Sequence, residues 1–455
     1  MPIAAILVPA RLRARFPSRA GTPASARGEQ GATAGAEGAA GPPPPRPGCA
    51  EAGAGSAAPM HRAPLDAGAL AALGRRLLPP GPQGAPSAMV AALYRGASVA
   101  VTGAGGSIGL ELCRHLLAHR PARLLLIEHA EPALRAALDA LELPAAASGT
   151  ALVPLLGNAG DAPLVAGALG AARAEILFHA AAYKHVDIVE ANPLAGLRNN
   201  TLATRAALEA AGAAGCGRFV LVSTDKAEAP CGAMGASKRL AELLVQGAGA
   251  AGALKTAVVR FGNVFGSSGS VVPRFAAQIA AGGPITLTDG RATRYMMRPE
   301  AAAELTLRAG ALAGEGGVFA LDMGAPVRIA ALARAMRDTA AERSGGFSRV
   351  DIVETGLRPG ERLHEAPLPG PGAEASAEAG VFRLPVSGPG RAGGALLVAQ
   401  LARLDGETNP ARLRAEMLRL AGAAPSAQPS RGNADADGSR RTAAPRRTEP
   451  LARAS

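Results

Sequence analysis

The stretch "VTGAGGSIG", residues 101–109, decides the fold class, because it places three glycines at a three-residue period between a strand-like run and a helix-like run. Gly103 suits a tight turn, Gly106 lets the backbone approach a pyrophosphate, and Gly109 lets helix and strand pack closely. Free N–H groups and the dipole at the helix start favour bound phosphate. The context therefore predicts a dinucleotide site, with a purely structural turn as the alternative.

Strand-like and helix-like segments alternate along the chain from this turn onward. After "SVAVT", short apolar runs occur in "RLLLIEHAE", "ALVPLLGN", "EILFHAAA", "RFVLVST" and "KTAVVRFGNV". Helices are predicted between them at 132–142, 161–171, 193–214 and 235–247. Such alternation is typical of a parallel sheet covered on both faces. We predict a Rossmann-type doubly wound α/β fold with a smaller C-terminal mixed α/β substrate-binding region.

Changes in composition divide the chain further. Residues 1–60 are rich in Ala, Gly, Pro and Arg, and a hypothesis is that translation truly starts at Met60. The expected parts are a low-complexity, disordered segment at 1–64, a helical lead-in at 65–95, an NAD-binding Rossmann domain at 96–265, a mainly substrate-binding region at 266–420 with elements returning to the Rossmann domain, and a disordered basic tail at 421–455.

The net charge of +12 does not indicate nucleic-acid binding. Residues 1–60 hold six Arg against three acids, and residues 425–455 hold the same numbers, so half of the excess lies in the two low-complexity ends. The rest is spread without a Lys/Arg run or interleaved aromatics, which favours anionic small molecules over DNA or RNA.

Cysteine usage and hydropathy exclude other classes. Cys49, Cys113, Cys216 and Cys231 are far apart and match neither a disulfide framework nor a zinc spacing, so no metal site is predicted. Four scattered thiols suit a reducing cytoplasm, which is the expected location. No run of about 18 apolar residues is free of Gly, Pro or charge, so no transmembrane helix is predicted.

The cofactor preference is predicted from Glu128, which ends the second strand 19 residues after Gly109. A carboxylate there accepts ribose hydroxyls and repels a 2′-phosphate, so NAD is favoured over NADP. His129 could soften this preference, and a surface glutamate is the alternative. Further along, "HAAAYKHV" places small residues after the fourth strand, where the backbone can follow the cofactor.

The segment "STDKAEAPCGAMGASKRLAE", residues 223–242, is predicted to carry the chemistry. Thr224 and Asp225 end a central strand, at the sheet edge where open α/β sheets bind ligands. Met234 and Lys238 are four residues apart and share a helix face. Many nicotinamide enzymes have a tyrosine four residues before such a lysine, whereas a thioether cannot ionise. A core methionine and a surface lysine are the alternatives.

These segments together resemble a known family. The motifs "VTGAGGSIG", "HAAAYKHV", "NPLAGLRNN", "STDKA", "MGASKRLAE", "RFGNVFGSSGSVVPRF" and "TGLRPGERLHE", within about 97–365, resemble the CapD-like polysaccharide-biosynthesis nucleotide-sugar 4,6-dehydratases of the extended short-chain dehydrogenase/reductase superfamily. Family members carry either Tyr or Met at the position of Met234. Longer relatives have transmembrane helices and another domain, and this chain looks like their soluble catalytic portion.

The resemblance implies a UDP-N-acetylhexosamine 4,6-dehydratase that acts in polysaccharide or glycan precursor synthesis. In that reaction C4 is oxidised, water is eliminated across C5–C6, and C6 is reduced with the same NAD. Asp225 would be the acid, Lys226 the base, Thr224 a partner of a sugar hydroxyl, and Lys238 a partner of the nicotinamide ribose. Because Met234 is inert, the C4 proton must leave by another route: Asp225, Lys226 and water stay open.

The remaining site residues follow from the same motifs. Arg294 and Arg358 are candidate pyrophosphate clamps, with Arg358 preferred and surface ion pairs as the alternative. The expected cofactor-binding residues are Gly103, Gly106, Ser107, Ile108, Gly109, Glu128, Asn158, Ala180, Ala181, Lys184 and Lys238. The expected substrate-binding residues are His185, Asn200, Asn263, Ser267, Arg294, Arg358 and Glu361.

Two departures from the family pattern bear on substrate choice. "TRYMMRPEA" is one residue shorter than usual, and Cys231 and Gly232 stand where Thr-Asn is common, which we expect to loosen the loop before Met234. A UDP-sugar 4-epimerase and a catalytically silent NAD- or nucleotide-sugar-binding module are the alternative functions. A UDP-sugar ligand, a homo-oligomer and membrane-associated glycan-assembly partners are expected; nucleic acid is not.

Overall fold

The computed structural model describes residues 65–82, 84–252, 254–345, 350–386 and 388–422. The predicted low-complexity segment at 1–64, with Cys49 and Met60, lies outside these residues, as does the predicted basic tail from 423 onward.

Fifteen strands and fourteen α-helices form within the described residues. The strands are β1 Ser98–Thr102, β2 Arg123–Glu128, β3 Ala151–Leu156, β4 Ile176–His179, β5 Arg218–Val222, β6 Lys255–Arg260, β7 Asn263–Val264, β8 Ile285–Leu287, β9 Thr293–Arg294, β10 Met296–Met297, β11 Glu315–Leu321, β12 Val327–Arg328, β13 Ile352–Glu354, β14 Glu374–Ala375 and β15 Val381–Arg383. The helices are α1 Ala67–Leu77, α2 Ala88–Tyr94, α3 Ser107–Ala118, α4 Glu131–Ser148, α5 Ala162–Ala172, α6 Val186–Ala191, α7 Pro193–Gly196, α8 Ala203–Ala213, α9 Ala233–Ala250, α10 Val271–Ala280, α11 Pro299–Ala311, α12 Ile329–Arg343, α13 Gly390–Leu404 and α14 Pro410–Leu420.

Nine strands form one sheet in the order β14-β15-β11-β6-β5-β4-β1-β2-β3. The seven strands from β11 to β3 are parallel, and the pair β15 and β14 closes one edge in antiparallel fashion. The predicted doubly wound α/β fold is therefore confirmed, and the six predicted strands are β1 to β6. The strand order reverses at β1, which leaves a crevice above the ends of β1 and β4.

Helices cover both faces of this sheet, which explains why its central strands are mostly apolar and are buried along their length. Every residue of β1 and of β4 is buried. On one face Phe219 and Leu240 belong to a core that includes α8 and α9. On the other face Val99, Phe178 and Leu112 pack with α3 and α11.

The segment after β6 adds strands to the large sheet and also forms separate two-stranded pairs. β11, β14 and β15 join the large sheet, whereas the pairs β8–β13, β9–β12 and β7–β10 lie outside it. A third core around Phe275 and Met336 joins α10 and α12 to helix α1, through Leu73. Within the described residues, no helix combines the length and the apolarity that a membrane span requires.

The structure corrects the prediction of one continuous helix over 193–214. The chain instead forms α7, a π-helical turn at Leu197–Leu202 and then α8. The turn contains Asn200, whose buried side chain binds groups outside this segment: it accepts from the N–H of Tyr183 and donates to Ser237 Oγ. π-turns of this kind commonly occur where function constrains a helix.

Candidate active site

The glycine turn after β1 is shaped by very close backbone contacts. Gly103 has a positive φ of 65°, and a Cβ there would lie 2.9 Å from the backbone N of Ala181. A Cβ on Gly109 would lie 2.0 Å from the carbonyl O of Gly103. The chain thus needs glycine at both positions, and the turn meets Ala180 and Ala181 at the point where the strand order reverses.

Helix α3 begins at Ser107, and Gly106 at its N-cap offers no side chain. The first N–H groups of this helix, including those of Ser107 and Ile108, are therefore not capped by Gly106, as a phosphate site at a helix start requires. Ser107 Oγ accepts the N–H of Ser268 at 3.0 Å, which brings the glycine-rich loop containing Ser267 to this turn.

Glu128 lies at the end of β2 with its carboxylate against the glycine turn. One oxygen accepts the N–H of Gly105 at 3.1 Å, and the other accepts those of His129 and Ala130. Its side chain is 6% exposed, so it is not a free surface glutamate. Asn158, after β3, accepts the N–H of Gly160 at 2.8 Å within its own turn.

The predicted site residues in and after the loop that follows β4 differ in their exposure to solvent. Lys184 and His185 are exposed. The ring of His185 packs on Gly269, where a Cβ would lie 2.5 Å from the ring. Asn200 is fully buried and links Tyr183 to α9, so its amide faces protein groups.

Three consecutive residues after β5 form a hydrogen-bonded cluster. Asp225 Oδ1 accepts from Thr224 Oγ1 at 2.8 Å and from Lys226 Nζ at 3.0 Å. The Asp225 side chain is 1% exposed, and its Oδ2 has no hydrogen-bond partner among the described residues. A buried carboxylate oxygen without a partner costs free energy unless something binds it, so this position is suited to a ligand or a transferable proton.

Glu365 joins this cluster, although the sequence analysis did not single it out. Its Oε1 lies 3.2 Å from Lys226 Nζ and 3.6 Å from Arg294 Nε, and its side chain is 5% exposed. Burial lowers the pKa of Lys226, but attraction by Asp225 and Glu365 outweighs burial, so the pKa is raised. Glu365 ends the quoted "TGLRPGERLHE", but no spacing rule connects it to Lys226.

Helix α9 carries the next two predicted residues. Met234 is 4% exposed and packs against Val189, so its thioether is part of the site wall and of a small core. Lys238 is 5% exposed and donates from Nζ to the carbonyl O of Val222 at 2.7 Å. Burial lowers the pKa of Lys238 to about 8, partly opposed by Glu242. The alternative of a surface lysine is wrong.

The loop before α9, which Cys231 and Gly232 are expected to loosen, has contacts to two other helices. Arg414 of α14 donates to the carbonyl O of Cys231 at 3.1 Å. Gly232 leaves room for the carboxylate of Glu190, because a Cβ at Gly232 would lie 2.7 Å from that carboxylate. The sequence patterns did not predict the roles of Glu190 and Arg414, because both residues belong to helices that are distant in the chain from this loop.

A cavity of about 180 Å³ opens beside these groups. Its wall includes Lys226, Met234, Arg274, Arg294, Arg358, Glu361 and Glu365. Asn263, Ser267, His185 and Asn200 are outside the wall of this cavity as described.

The two predicted arginines differ in their surroundings. Arg294 is buried and donates to Glu361 Oε1 at 2.8 Å, which also accepts from Thr288. Arg358 is half exposed and pairs with Asp187 at 2.6 Å. Arg358 can therefore turn toward a ligand more easily, whereas Arg294 is already fixed by carboxylates.

The sheet order, the glycine turn and the buried lysine of α9 define the class: a Rossmann-type protein of the extended short-chain dehydrogenase/reductase kind. The chain belongs to the polysaccharide biosynthesis protein family, whose family model matches residues 99–380.

Individual relatives agree with this family. The chain is 39% identical over 273 residues to a probable polysaccharide biosynthesis protein EpsC from Bacillus subtilis, covering 60% of this chain and 45% of that protein. It is 39% identical over 269 residues to the capsular polysaccharide biosynthesis protein CapD from Staphylococcus aureus, covering 59% and 44%. The chain thus spans less than half the length of these two relatives.

Epimerases are also among the relatives. A UDP-glucose 4-epimerase from Rickettsia rickettsii is 35% identical over 193 residues, covering 42% of this chain and 54% of that protein. Among solved structures, Pen from Bacillus thuringiensis superposes with a TM-score of 0.59 and 28% identity, covering 65% of this chain and 90% of Pen.

Proposed function

We propose that this chain is a UDP-N-acetylhexosamine 4,6-dehydratase that uses NAD and supplies a precursor for surface polysaccharide or another glycan. The observation that carries the proposal is the placement of Lys226 between Asp225 and Glu365 at the wall of a cavity that is also lined by four arginines. An elimination needs an acid and a base near neighbouring carbons, and this cluster offers both in one place.

The residues around the glycine turn fit a dinucleotide. The absence of side chains at Gly103 and Gly109 brings backbone close, and Gly106 leaves the N-terminus of α3 open. These groups, with Ser107 and Ile108, would hold the pyrophosphate. Glu128 would hold the adenosine ribose, which favours NAD over NADP. NAD, when bound, supplies a reversible hydride acceptor.

The remaining cofactor contacts are proposed from position. Lys238 would reach the nicotinamide ribose, and its lowered pKa makes its charge sensitive to a neighbouring ligand. Asn158, Ala180, Ala181 and Lys184 follow β3 and β4, at the edge of the sheet where the crevice opens.

The electrostatics of Lys226 indicate how an acid and a base arise together. Its raised pKa means that the ammonium form dominates at neutral pH, and an ammonium is not a base. Transfer of one proton across the 3.0 Å hydrogen bond to Asp225 gives a neutral amine and a neutral carboxyl group. Lys226 can then take the C5 proton, and Asp225 can protonate the departing C6 hydroxyl. Both return to their charged forms.

The substrate contacts follow from charge and shape. Arg274, Arg294 and Arg358 line the cavity and suit a pyrophosphate, because guanidinium groups bind phosphate oxygens bidentately. Glu361 would contact the uridine ribose, and Thr224 a sugar hydroxyl. His185, Asn200, Asn263 and Ser267 would act from outside the cavity wall, by shaping the neighbouring loops.

Two other functions are candidates. The epimerase relatives favour a UDP-sugar 4-epimerase. Two features speak against this function: Met234 stands where an epimerase would use a tyrosine base, and an epimerase does not require the Asp225–Lys226 pair. A silent NAD- or nucleotide-sugar-binding module would be consistent with Met234. We further propose a cytoplasmic homo-oligomer with membrane-associated glycan-assembly partners.

Chromatography that resolves C4 epimers, coupled to mass spectrometry, separates these functions in the reaction with UDP-GlcNAc. A product lighter by one water supports the dehydratase, and a C4 epimer of unchanged mass supports the epimerase. No turnover with NAD bound supports the silent module. Asp225→Asn should abolish dehydration and retain NAD, whereas the exposed Asp338→Asn control should retain both dehydration and NAD. Full activity of Asp225→Asn would contradict the assignment of the acid.

A further inference from the structure

Glu365 reaches the reaction centre from a distant part of the chain. It follows the turn at residues 358–361, and its carboxylate packs into the cavity wall beside Lys226. Its Oε1 is 3.2 Å from Lys226 Nζ, close to the 3.0 Å between Lys226 and Asp225. The ammonium is thus held from two sides by two carboxylates.

The two carboxylates are not equivalent. Asp225 is adjacent to Lys226 in the sequence, and its side chain is 1% exposed. Glu365 lies in the cavity wall and is shared with Arg294, whose Nε is 3.6 Å away. Glu365 therefore divides its negative charge between Lys226 and Arg294.

We propose that Glu365 is a positioning residue that fixes the Lys226 ammonium at the cavity wall and keeps it protonated. This inference rests on the proposed function, because Lys226 is the group through which Glu365 acts. The proton transfer itself remains between Lys226 and Asp225, so Glu365 makes no bond to substrate.

Charged groups from several elements surround this pair. Asp225 contacts Lys226 from the turn after β5, and Arg294 contacts Glu365 from β9. The other charged residues of the cavity wall are Asp187, Arg274, Arg358, Glu361 and Arg362. Attraction between opposite charges within about 4–6 Å shifts a pKa by about 1–3 units, so removing one carboxylate is measurable against this background.

The chain has only four lysines, Lys184, Lys226, Lys238 and Lys255, so each amine can be followed separately. We would label full-length protein with acetic anhydride across a pH series and quantify each lysine by peptide mass spectrometry. Neutral amines acylate and ammonium groups do not. Exposed Lys255 serves as the internal reference.

In Glu365→Gln the pH of half-labelling of Lys226 should fall by about 1–3 units relative to wild type, and that of Lys255 should not move. Glu365→Asp keeps the charge and should restore part of the shift. Glu354→Gln, at an exposed glutamate of β13, is the matched control and should behave as wild type. An unchanged half-labelling pH for Lys226 in Glu365→Gln would overturn the inference.

Activity gives a second, separate readout. Glu365→Gln should lower kcat and move the pH dependence of kcat in the acid direction, with a smaller change in KM. A merely structural role would lower thermal stability without moving that profile. Because labelling requires no turnover, it tests Glu365 even if wild type fails to dehydrate UDP-GlcNAc. If wild type dehydrates and labelling is unchanged, only the role of Glu365 fails.

Discussion

Glu190 Oε2 accepts the backbone N–H of Ala233 at 2.7 Å, so a residue of α6 caps the N-terminus of α9. The N-cap position itself, Gly232, has no side chain that could do this. Arg414 of α14 pairs with the other oxygen of Glu190. The helix that carries Met234 and Lys238 is therefore fixed through two neighbouring helices.

Removal of this cap should destabilise the fold. Glu190→Ala leaves the N–H of Ala233 unpaired, and a lost helix cap costs about 0.5–2 kcal/mol of unfolding free energy. Urea denaturation would measure the change. Glu416→Ala, which removes an exposed i,i+3 ion pair with Arg419, is the control and should cost less than about 0.5 kcal/mol. Equal losses in the two variants would show that the cap contributes nothing particular.

Two helical glycines should respond to alanine with opposite signs. A Cβ on Gly109 would lie 2.0 Å from a backbone oxygen, whereas a Cβ on Gly167 of α5 meets nothing within 4 Å. Gly167→Ala should stabilise by about 0.5–1 kcal/mol through helix propensity, and Gly109→Ala should destabilise by about 1–3 kcal/mol through overpacking.

Thermal unfolding of both variants would measure this difference, and NAD binding to Gly109→Ala should weaken in parallel. Destabilisation of Gly167→Ala, or wild-type stability of Gly109→Ala, would show that the turn is arranged differently.

Stability should depend on pH through Lys238. Its pKa falls from the ordinary 10.5 to about 8 on folding, so between these values the unfolded chain binds more protons than the folded one. The free energy of unfolding should therefore rise with pH across this window, with a contribution approaching about 1.4 kcal/mol per pH unit.

Lys238→Met replaces the lysine with an uncharged side chain of similar size and so removes this pH-dependent contribution to stability. The difference between wild type and variant isolates Lys238, because Lys226 is present in both proteins. The raised pKa of Lys226 acts in the opposite sense, with stability lost as pH rises through its folded pKa. Parallel stability curves for wild type and Lys238→Met between pH 8 and 10.5 would refute the shift.

Alanine substitutions of the two candidate phosphate ligands, Arg358 and Arg294, should differ in their effects on UDP binding and on the free energy of unfolding. Arg358→Ala removes a half-exposed side chain, so we expect little change in unfolding free energy but about 10- to 100-fold weaker UDP binding, as for a lost charged hydrogen bond. Arg294→Ala removes the buried guanidinium that pairs with Glu361 and with Glu365, and should also destabilise the protein. Calorimetric titration with UDP, together with urea denaturation, measures both quantities.

Wild-type UDP affinity in Arg358→Ala would exclude this side chain as a phosphate ligand. Arg337→Ala, at the unrelated surface pair with Asp338, is the control for both measurements.

Local patterns in the sequence were sufficient for the main sheet and for the glycine turn, because strand periodicity and glycine spacing are set by neighbouring residues. The resemblance to family motifs also singled out Lys226, Met234, Arg294, Arg358 and Glu361, and the structure places all five on the wall of one cavity. The motifs did not specify how these groups are paired.

Glu365 and Glu190 could not be found in this way, because their roles depend on contacts between segments that are remote in the chain. A glutamate in a loop has no periodic signal, and the cap at Gly232 is supplied by a helix that precedes it by about 40 residues. The division of the predicted 193–214 helix likewise reflects tertiary bonds of Asn200 and not local propensity.

The enclosure of α9 has a consequence for quaternary assembly. Almost all of this helix is buried within one chain, and α13 approaches so closely that a Cβ on Gly247 would lie 3.2 Å from the Cα of Gly394. Leu401 and Met417, from α13 and α14, are fully buried in the same core. A second copy can therefore reach this helix only if the two C-terminal helices swing away, and self-association that leaves them seated must use another face of the protein.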